Sequence, residues 1–159
     1  MSDQSPIVEI LKGSCGDAIL GDTAFRGQLS VAVDPERIVD VCACCRDHEA
    51  LRFDMLADLT AVDRLPGEPR FEVVYNLYSF PHNRRLRLKA AVAQNATIRT
   101  VEGVWKAANW LEREVYDLFG IVFEGHSDLR RILLWDGYVG HPLRKDFPLH
   151  GIPQKVHYR

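Results

Sequence analysis

The spacing of apolar positions predicts a β-sheet in the first two thirds of the chain. Apolar residues occupy every second position from Leu29 to Val33, which is the period of a strand that buries one face. Two longer apolar runs, residues 53–62 and 71–80, flank the turn-forming segment Pro66-Gly67-Glu68-Pro69. We expect these two runs to pair as an antiparallel hairpin.

The next strand is predicted to have one apolar and one cationic face. Apolar residues alternate there with basic ones: Leu86, Leu88 and Ala90 with Arg85, Arg87 and Lys89. A cationic strand face is usually solvated and discourages edge-to-edge pairing of sheets. Binding of phosphate or of an acidic protein is the alternative.

Three helices are predicted by their termini and by apolar residues three and four positions apart. The first begins at Ser5-Pro6 and ends near Gly13, and the second follows Asp34-Pro35, an N-cap followed by proline. The third, roughly residues 101–119, is expected to end at Gly120, because glycine tolerates the left-handed conformation after a helix. Its apolar face consists of Trp105, Ala108, Leu111, Val115 and Leu118.

Together these elements predict an α+β fold with a mixed, largely antiparallel sheet packed by helices. We assign residues 1–125 to this core domain and residues 126–159 to an extended C-terminal segment that binds a partner. The last 23 residues, GYVGHPLRKDFPLHGIPQKVHYR, have neither the period of a strand nor that of a helix. Such a long irregular run is uncommon in a compact domain unless it is functional or disordered. Apolar residues nevertheless recur along it, so we expect an arm laid on another chain.

Composition and charge narrow the classes of function. The 159 residues suit one domain, and 20 basic against 22 acidic side chains give no electrostatic basis for binding nucleic acid. No apolar run approaches the roughly 18 residues of a membrane-spanning helix, and the polar N-terminus is unlike a signal peptide. We therefore expect a soluble cytoplasmic protein or the soluble part of a larger assembly.

The cysteines raise the possibility of a metal or redox site. Cys42 and Cys45 have CxxC spacing, but they also continue a helical stripe that begins with Ile38 and Val41. A structural metal site usually has four ligands, and the chain has no second CxxC to complete one. We predict reduced thiols in the core, with an iron–sulfur, zinc or thiol redox site as the alternative.

The charged stretch from Trp110 to Leu134 contains candidate catalytic residues. Glu112 and Glu114 point about 200° apart around a helix, so they cannot converge on a substrate as an acid/base pair. Arg113 and Asp117, four residues apart, are predicted to form a surface ion pair.

A stand-alone enzyme is also disfavoured by the motifs. His126, Ser127 and Asp128 are consecutive, and adjacent positions in a turn seldom give the serial geometry of a catalytic triad. The chain contains no nucleophile elbow, P-loop, GxGxxG after a strand or HExxH.

Two blocks of sequence resemble a known family. They are residues 112–133, with Glu112-Arg113-Glu114, Asp117-Leu118-Phe119-Gly120-Ile121, Gly125-His126 and Asp128-Leu129-Arg130-Arg131-Ile132-Leu133, and residues 140–147, Gly140-His141-Pro142-Leu143-Arg144-Lys145-Asp146-Phe147. Their spacing is similar to that of the C subunit of respiratory complex I, NADH-quinone oxidoreductase, and of its counterparts in related hydrogenase and dehydrogenase complexes. The resemblance covers residues 105–149. Ser127 departs from it, since the family usually has proline after the histidine.

The resemblance implies a cofactor-free peripheral-arm subunit on the cytoplasmic side of the cell membrane. Such a subunit docks to the D subunit, beside iron–sulfur subunits, in an enzyme that passes electrons from NADH to quinone and translocates protons. NADH, FMN, iron–sulfur clusters and quinone are then expected in partner subunits, with no metal site and no catalytic residue in this chain. The alternative is the equivalent subunit of a membrane-bound hydrogenase or of a formate or ferredoxin-linked dehydrogenase complex.

Charged and C-terminal residues of the two blocks are then expected to form the subunit interface, since arginine holds carboxylates with two parallel hydrogen bonds. Some of them could instead tie the C-terminal segment to its own domain. The predicted interface residues are Glu112, Glu114, His126, Asp128, Arg130, Arg131, His141, Pro142, Arg144, Lys145, Asp146 and Phe147.

Overall fold

A five-stranded sheet lies at the centre of the computed structural model, which describes residues 5–153. The strands are β1 (Ile19–Phe25), β2 (Gln28–Val33), β3 (Met55–Asp63), β4 (Phe71–Ser79) and β5 (Arg84–Val92). Their spatial order is β1-β2-β5-β4-β3. Only the β2–β5 pair is parallel in this sheet, so the predicted α+β fold with a largely antiparallel sheet is confirmed.

The predicted hairpin is β3 paired with β4, with Asp63 opposite Phe71 at the turn end. Strand β1 was not predicted, because most of its residues are exposed and Gly21 and Asp22 interrupt any apolar alternation. Two short strands, β6 (Thr97–Arg99) and β7 (Val122–Glu124), form a separate parallel pair.

The described helices are α1 (Ser5–Cys15), α2 (Ile38–Asp47) and α3 (Ala108–Phe119). Helix α1 extends two residues beyond the predicted end at Gly13. The Asp34 carboxylate accepts a hydrogen bond from the Glu36 N–H, but it caps a 3₁₀ turn (Pro35–Arg37), and α2 begins after that turn.

Helix α3 is shorter at its start than predicted. Residues 101–107 form turns, held by hydrogen bonds from the Val104 and Trp105 N–H groups to the Val101 carbonyl and from Trp105 Nε1 to the Phe53 carbonyl. The predicted end is confirmed. Gly120 has φ +73°, and its N–H bonds the Tyr116 carbonyl at 2.9 Å.

The core lies between the helices and one face of the sheet. On β4, Phe71, Val73, Tyr75 and Leu77 are buried on that face. From α2, the predicted stripe is fully buried: Ile38, Val41, Cys42 and Cys45. On the opposite face of the sheet, polar side chains bridge neighbouring strands, as Lys89 does with Glu72 at 3.3 Å.

No helix within residues 5–153 is long and apolar enough to cross a membrane. After β7, the chain from residue 126 to residue 153 contains turns and bends and neither helix nor strand. We call these residues the C-terminal segment. The rest of the predicted arm, residues 154–159, lies outside the described residues.

Candidate functional site

The C-terminal segment is fixed to helix α3 by the buried carboxylate of Asp117. Its Oδ2 atom accepts hydrogen bonds from the N–H groups of Ile132, Leu133 and Leu134 at 2.8 to 3.0 Å. Its Oδ1 atom lies 2.6 Å from Arg131 Nη1. Burial alone would raise the pKa of Asp117, but these four donors together lower it.

Arg131 completes this attachment. Its second Nη atom donates to the carbonyls of Tyr138 and Gly140, both at 3.1 Å, so one guanidinium joins three parts of the chain. The predicted surface pair of Arg113 with Asp117 is therefore wrong, since Asp117 is occupied by Arg131. Arg113 is itself buried and donates to the carbonyls of Arg130 and Arg131.

A second attachment joins the C-terminal segment to the turn end of the β3–β4 hairpin. Arg70, 1% exposed, is held between Asp63 at 2.8 Å and Asp146 at 2.6 Å. The Asp63 carboxylate also accepts from the Lys145 N–H at 2.9 Å. The hydrogen bonds from Arg70 and from two backbone N–H groups hold the pKa of Asp63 well below its usual value.

Gly120 provides a close contact between these two attachments. A Cβ atom at this position would lie 2.5 Å from both Arg144 Nη2 and His141 Nε2. Those side chains use the carbonyls left free at the end of α3: His141 Nδ1 bonds Asp117 O at 2.9 Å, and Arg144 Nε donates to Phe119 O at 2.5 Å. Glycine is thus required here both for its positive φ and for its lack of a side chain.

Glu112 lies inside the domain, so the docking role predicted for it is not retained. Its side chain is fully buried and accepts from the Thr100 hydroxyl at 2.5 Å and the Val101 N–H at 2.8 Å. Burial raises the pKa of Glu112 to about 7, although both hydrogen bonds oppose the rise. Glu114 is exposed, which agrees with the predicted opposite orientation of the two glutamates.

The His126-Ser127-Asp128 turn has no triad geometry. The His126 ring bonds backbone groups, with Nε2 at 3.0 Å from Asn109 O and Nδ1 at 3.0 Å from the Asp128 N. The Ser127 hydroxyl instead donates to Glu102 at 3.1 Å. No serine-to-imidazole hydrogen bond links these three described residues.

Most of the predicted interface residues bond their own domain. These are Glu112, His126, Arg131, His141, Arg144, Lys145 and Asp146. Pro142 and Phe147 are half-buried, and the Phe147 ring lies against Gly140. Five charged residues of the predicted set are exposed: Glu114, Asp128, Arg130, Lys145 and Asp146. Lys145 and Asp146 bond the hairpin turn, whereas Asp128 and Arg130 pair with each other at 2.8 Å.

The exposed surface of the C-terminal segment is instead rich in large apolar side chains. Leu149 is 96% exposed and Leu133 62%. Trp135, Val139 and Leu143 are also exposed. The apolar residues beyond residue 137 were recognised in the sequence, but Leu133 and Trp135 were not identified as surface residues.

Arg70 and Asp63 were missed because their partner Asp146 lies 76 positions from Arg70, beyond any local pattern. Asp117 was assigned to the wrong partner. Its signal was the helical side shared with Arg113, four residues before it.

Cys15, Cys42 and Cys45 lie in the core, and Cys44 is half-buried against it. Burial raises the pKa of Cys42 and Cys45, and all four cysteines are free thiols. Within the described part of the chain, no group of three or more His, Cys, Asp or Glu side chains is placed to hold a metal ion.

Comparison of the fold with solved structures indicates a class of protein. A chain from the membrane-bound sulfane sulfur reductase, an archaeal respiratory membrane complex, superimposes with a TM-score of 0.78 at 25% identity. The match covers 93% of this chain and 87% of the other. An α+β domain of this shape is thus found as a subunit of a respiratory membrane complex.

The family follows from the sequence. A family model described as the 30 Kd subunit of respiratory-chain NADH dehydrogenase matches residues 31–153, and the chain belongs to this family. The C subunit of NADH-quinone oxidoreductase from Geotalea uraniireducens (strain Rf4) is 50% identical over 160 residues, covering 100% of this chain and 96% of the relative. The C subunit from Geobacter sulfurreducens is 50% identical over 161 residues, covering 100% and 98%. The C 2 subunit from Rhizobium meliloti (strain 1021) is 46% identical over 157 residues, covering 98% and 86%.

The resemblance seen in the sequence is confirmed. The relatives named above are C subunits of NADH-quinone oxidoreductase, the family that the two sequence blocks resemble.

Proposed function

We propose that the chain is a cofactor-free peripheral subunit that docks through its C-terminal segment onto a D-like subunit and supports the quinone-reducing site there. The observation that carries this proposal is the pairing of a firmly held backbone with outward apolar side chains. Asp117 binds three consecutive N–H groups of the segment, and Leu133, in the middle of the three, is 62% exposed.

A surface of this kind favours association for two reasons. Burying exposed leucine and tryptophan side chains against another chain gives about 25 cal/mol per Å² of apolar area. Because the backbone beneath them is already ordered, less conformational entropy is lost on binding than for a flexible arm. The Asp117 and Arg70 attachments are therefore proposed to shape the docking surface without contacting the partner.

The complex is proposed to be a proton-translocating NADH:quinone oxidoreductase, with this chain on the cytoplasmic side of the membrane beside iron–sulfur subunits. NADH, FMN, iron–sulfur clusters and quinone would be bound by those partners, and no catalytic residue is assigned here. Glu114, Asp128 and Arg130 remain proposed interface charges.

The alternative is the equivalent subunit of a related hydrogenase, formate or ferredoxin-linked complex. It is favoured by one observation, the similarity of the fold to a chain of a sulfane sulfur reductase complex. Mass spectrometry of the intact complex, purified through a tag on this chain, distinguishes the two. Co-purification of NADH-oxidising subunits supports the first proposal, and co-purification of hydrogenase or formate dehydrogenase subunits supports the second.

Docking is tested with Leu133→Asp and Leu149→Asp, and with Leu20→Asp as a matched control. Leu20 is 64% exposed on β1, at the edge of the sheet opposite β3, the strand that bonds the C-terminal segment. The first two variants should lower the amount of assembled complex on native gels several-fold, while quinone reduction per assembled complex stays within about twofold. Normal assembly with near-zero activity per complex would refute the docking role and place the segment at an active site.

A further inference from the structure

The sheet face opposite the helices carries a groove of about 490 Å³ that the proposed docking surface does not use. We call it the cationic groove. Its lining includes Met55, Asn76, Tyr78, Phe80, Arg85 and Arg87. The alternation of β3, β4 and β5 places these side chains side by side, since Tyr78 pairs with both Met55 and Arg85 and Asn76 pairs with Arg87.

The two arginines of the groove form no direct ion pair within the described part of the chain. Among residues 5–153, neither Arg85 nor Arg87 is in an ion pair, and Arg87 Nε donates to the Asn76 amide oxygen at 3.0 Å. Two carboxylates lie beside the lining, Asp58 bonded to the Asn76 amide at 3.4 Å and Asp54 bonded to the Phe80 N–H at 3.1 Å. Elsewhere on the same face the basic side chains are paired, with Lys89 and Arg64 both on Glu72. Since Asp54 and Asp58 bond neutral groups, both guanidinium groups of the groove keep their charge without a paired carboxylate.

Apolar side chains lie beside the two arginines. Phe80 is 64% exposed and packs edge-on against Tyr78, with ring centroids 5.0 Å apart. Met55 is 41% exposed. Arginine, tyrosine, phenylalanine and methionine are the side chains enriched at protein interfaces, so this composition favours a protein ligand.

The spacing of the arginines specifies the shape of that ligand. Arg85 and Arg87 are alternate residues of β5, which separates their side chains by about 7 Å. Alternate side chains of any extended segment have the same separation, so two carboxylates at positions i and i+2 match both guanidinium groups.

We propose that the cationic groove binds an extended acidic segment of another subunit, with its i and i+2 carboxylates on Arg85 and Arg87 and an apolar side chain against Phe80. This is a second interface. The groove lies at the Met55 end of β3, whereas the C-terminal segment is bonded at the Asp63 end, eight residues and about 26 Å away.

The first test is photo-cross-linking in the assembled complex. The full chain carries p-benzoylphenylalanine in place of Phe80, and a second version carries it in place of Leu20 as the control. Irradiation should join the Phe80 position to a partner peptide that contains two acidic residues spaced i and i+2. A cross-link to lipid, to a peptide without such a pair or to this chain alone would overturn the proposal, as would no cross-link.

The second test reverses the charge in the same cross-linking chain. Arg85→Glu should lower the yield of that cross-linked product several-fold, and an Asp→Arg or Glu→Arg change in the partner peptide should restore it. The control is Arg99→Glu, an exposed arginine on β6. An unchanged yield with Arg85→Glu, at an unchanged melting temperature, contradicts the groove. Because none of these variants alters the C-terminal segment, failure here leaves the docking proposal intact.

Discussion

The buried carboxyl of Glu112 should make the stability of this chain depend on pH near neutrality. Folding moves the pKa of Glu112 from 4.5 to about 7, because burial penalises the ionised form. His126 Nε2 lies 3.9 Å from the Glu112 carboxylate, and the attraction between them opposes the rise without reversing it, whereas the like charge of Glu102 adds to it.

The direction of the effect follows from proton binding. Between pH 4.5 and 7 the folded chain holds a proton on Glu112 that the unfolded chain has lost, so the free energy of unfolding falls as pH rises through this range. At 1.36 kcal/mol per pKa unit, the loss attributable to Glu112 between pH 5 and pH 8 is about 2 to 3 kcal/mol. Above the folded pKa the loss is complete.

The test compares Glu112→Gln with the unmodified chain in urea unfolding from pH 5 to pH 8.5. Glutamine cannot ionise, and its amide can meet both the Val101 N–H and the Thr100 hydroxyl, so the variant should be the more stable protein at pH 8. The control, Glu114→Gln, removes an exposed carboxylate from the same helix and should leave the profile unchanged. Parallel pH profiles for Glu112→Gln and the unmodified chain would refute the reasoning.

Three further outcomes are expected. Asp117→Asn should cost about 3 kcal/mol and speed amide exchange at Ile132, Leu133 and Leu134, because it breaks a buried ion pair; unchanged exchange would contradict the Asp117 attachment. Gly120→Ala should lower the melting temperature more than Gly125→Ala, since both have positive φ but only Gly120 is closely approached, by His141 and Arg144; equal losses would exclude that contact. Elemental analysis of the isolated chain should find no stoichiometric iron or zinc, and one bound metal per chain would overturn the core-thiol interpretation.

Local sequence patterns were sufficient to predict the β3–β4 hairpin, strand β2, the buried stripe of α2 and the end of α3. Each of these depends on residues within one turn or one strand of each other, where spacing and burial are directly linked. The extent of burial on α3 was misjudged although a signal existed. Glu112 lies four residues after Ala108 and three before Val115, so it shares their buried face, and its charge obscured this.

The attachment of the C-terminal segment could not be predicted in the same way. Asp117 reaches Arg131 over 14 positions, and Arg70 reaches Asp146 over 76. Nothing in the spacing of either pair distinguishes an internal ion pair from two residues that dock on a partner. The arm therefore looked free in the sequence, whereas the structure shows its described part bonded to its own domain.

The attachment of the C-terminal segment explains why α3 carries buried charged residues. A helix that packs only on a sheet needs one apolar face, but α3 is covered twice, by the sheet on one side and by the C-terminal segment on another. Because that segment has no regular secondary structure, its buried N–H and carbonyl groups lack backbone partners and need side chains to satisfy them. Asp117 accepts from three of its N–H groups, and Arg113 donates to two of its carbonyls. These two charges are therefore better explained by holding an irregular segment against the domain than by a catalytic role.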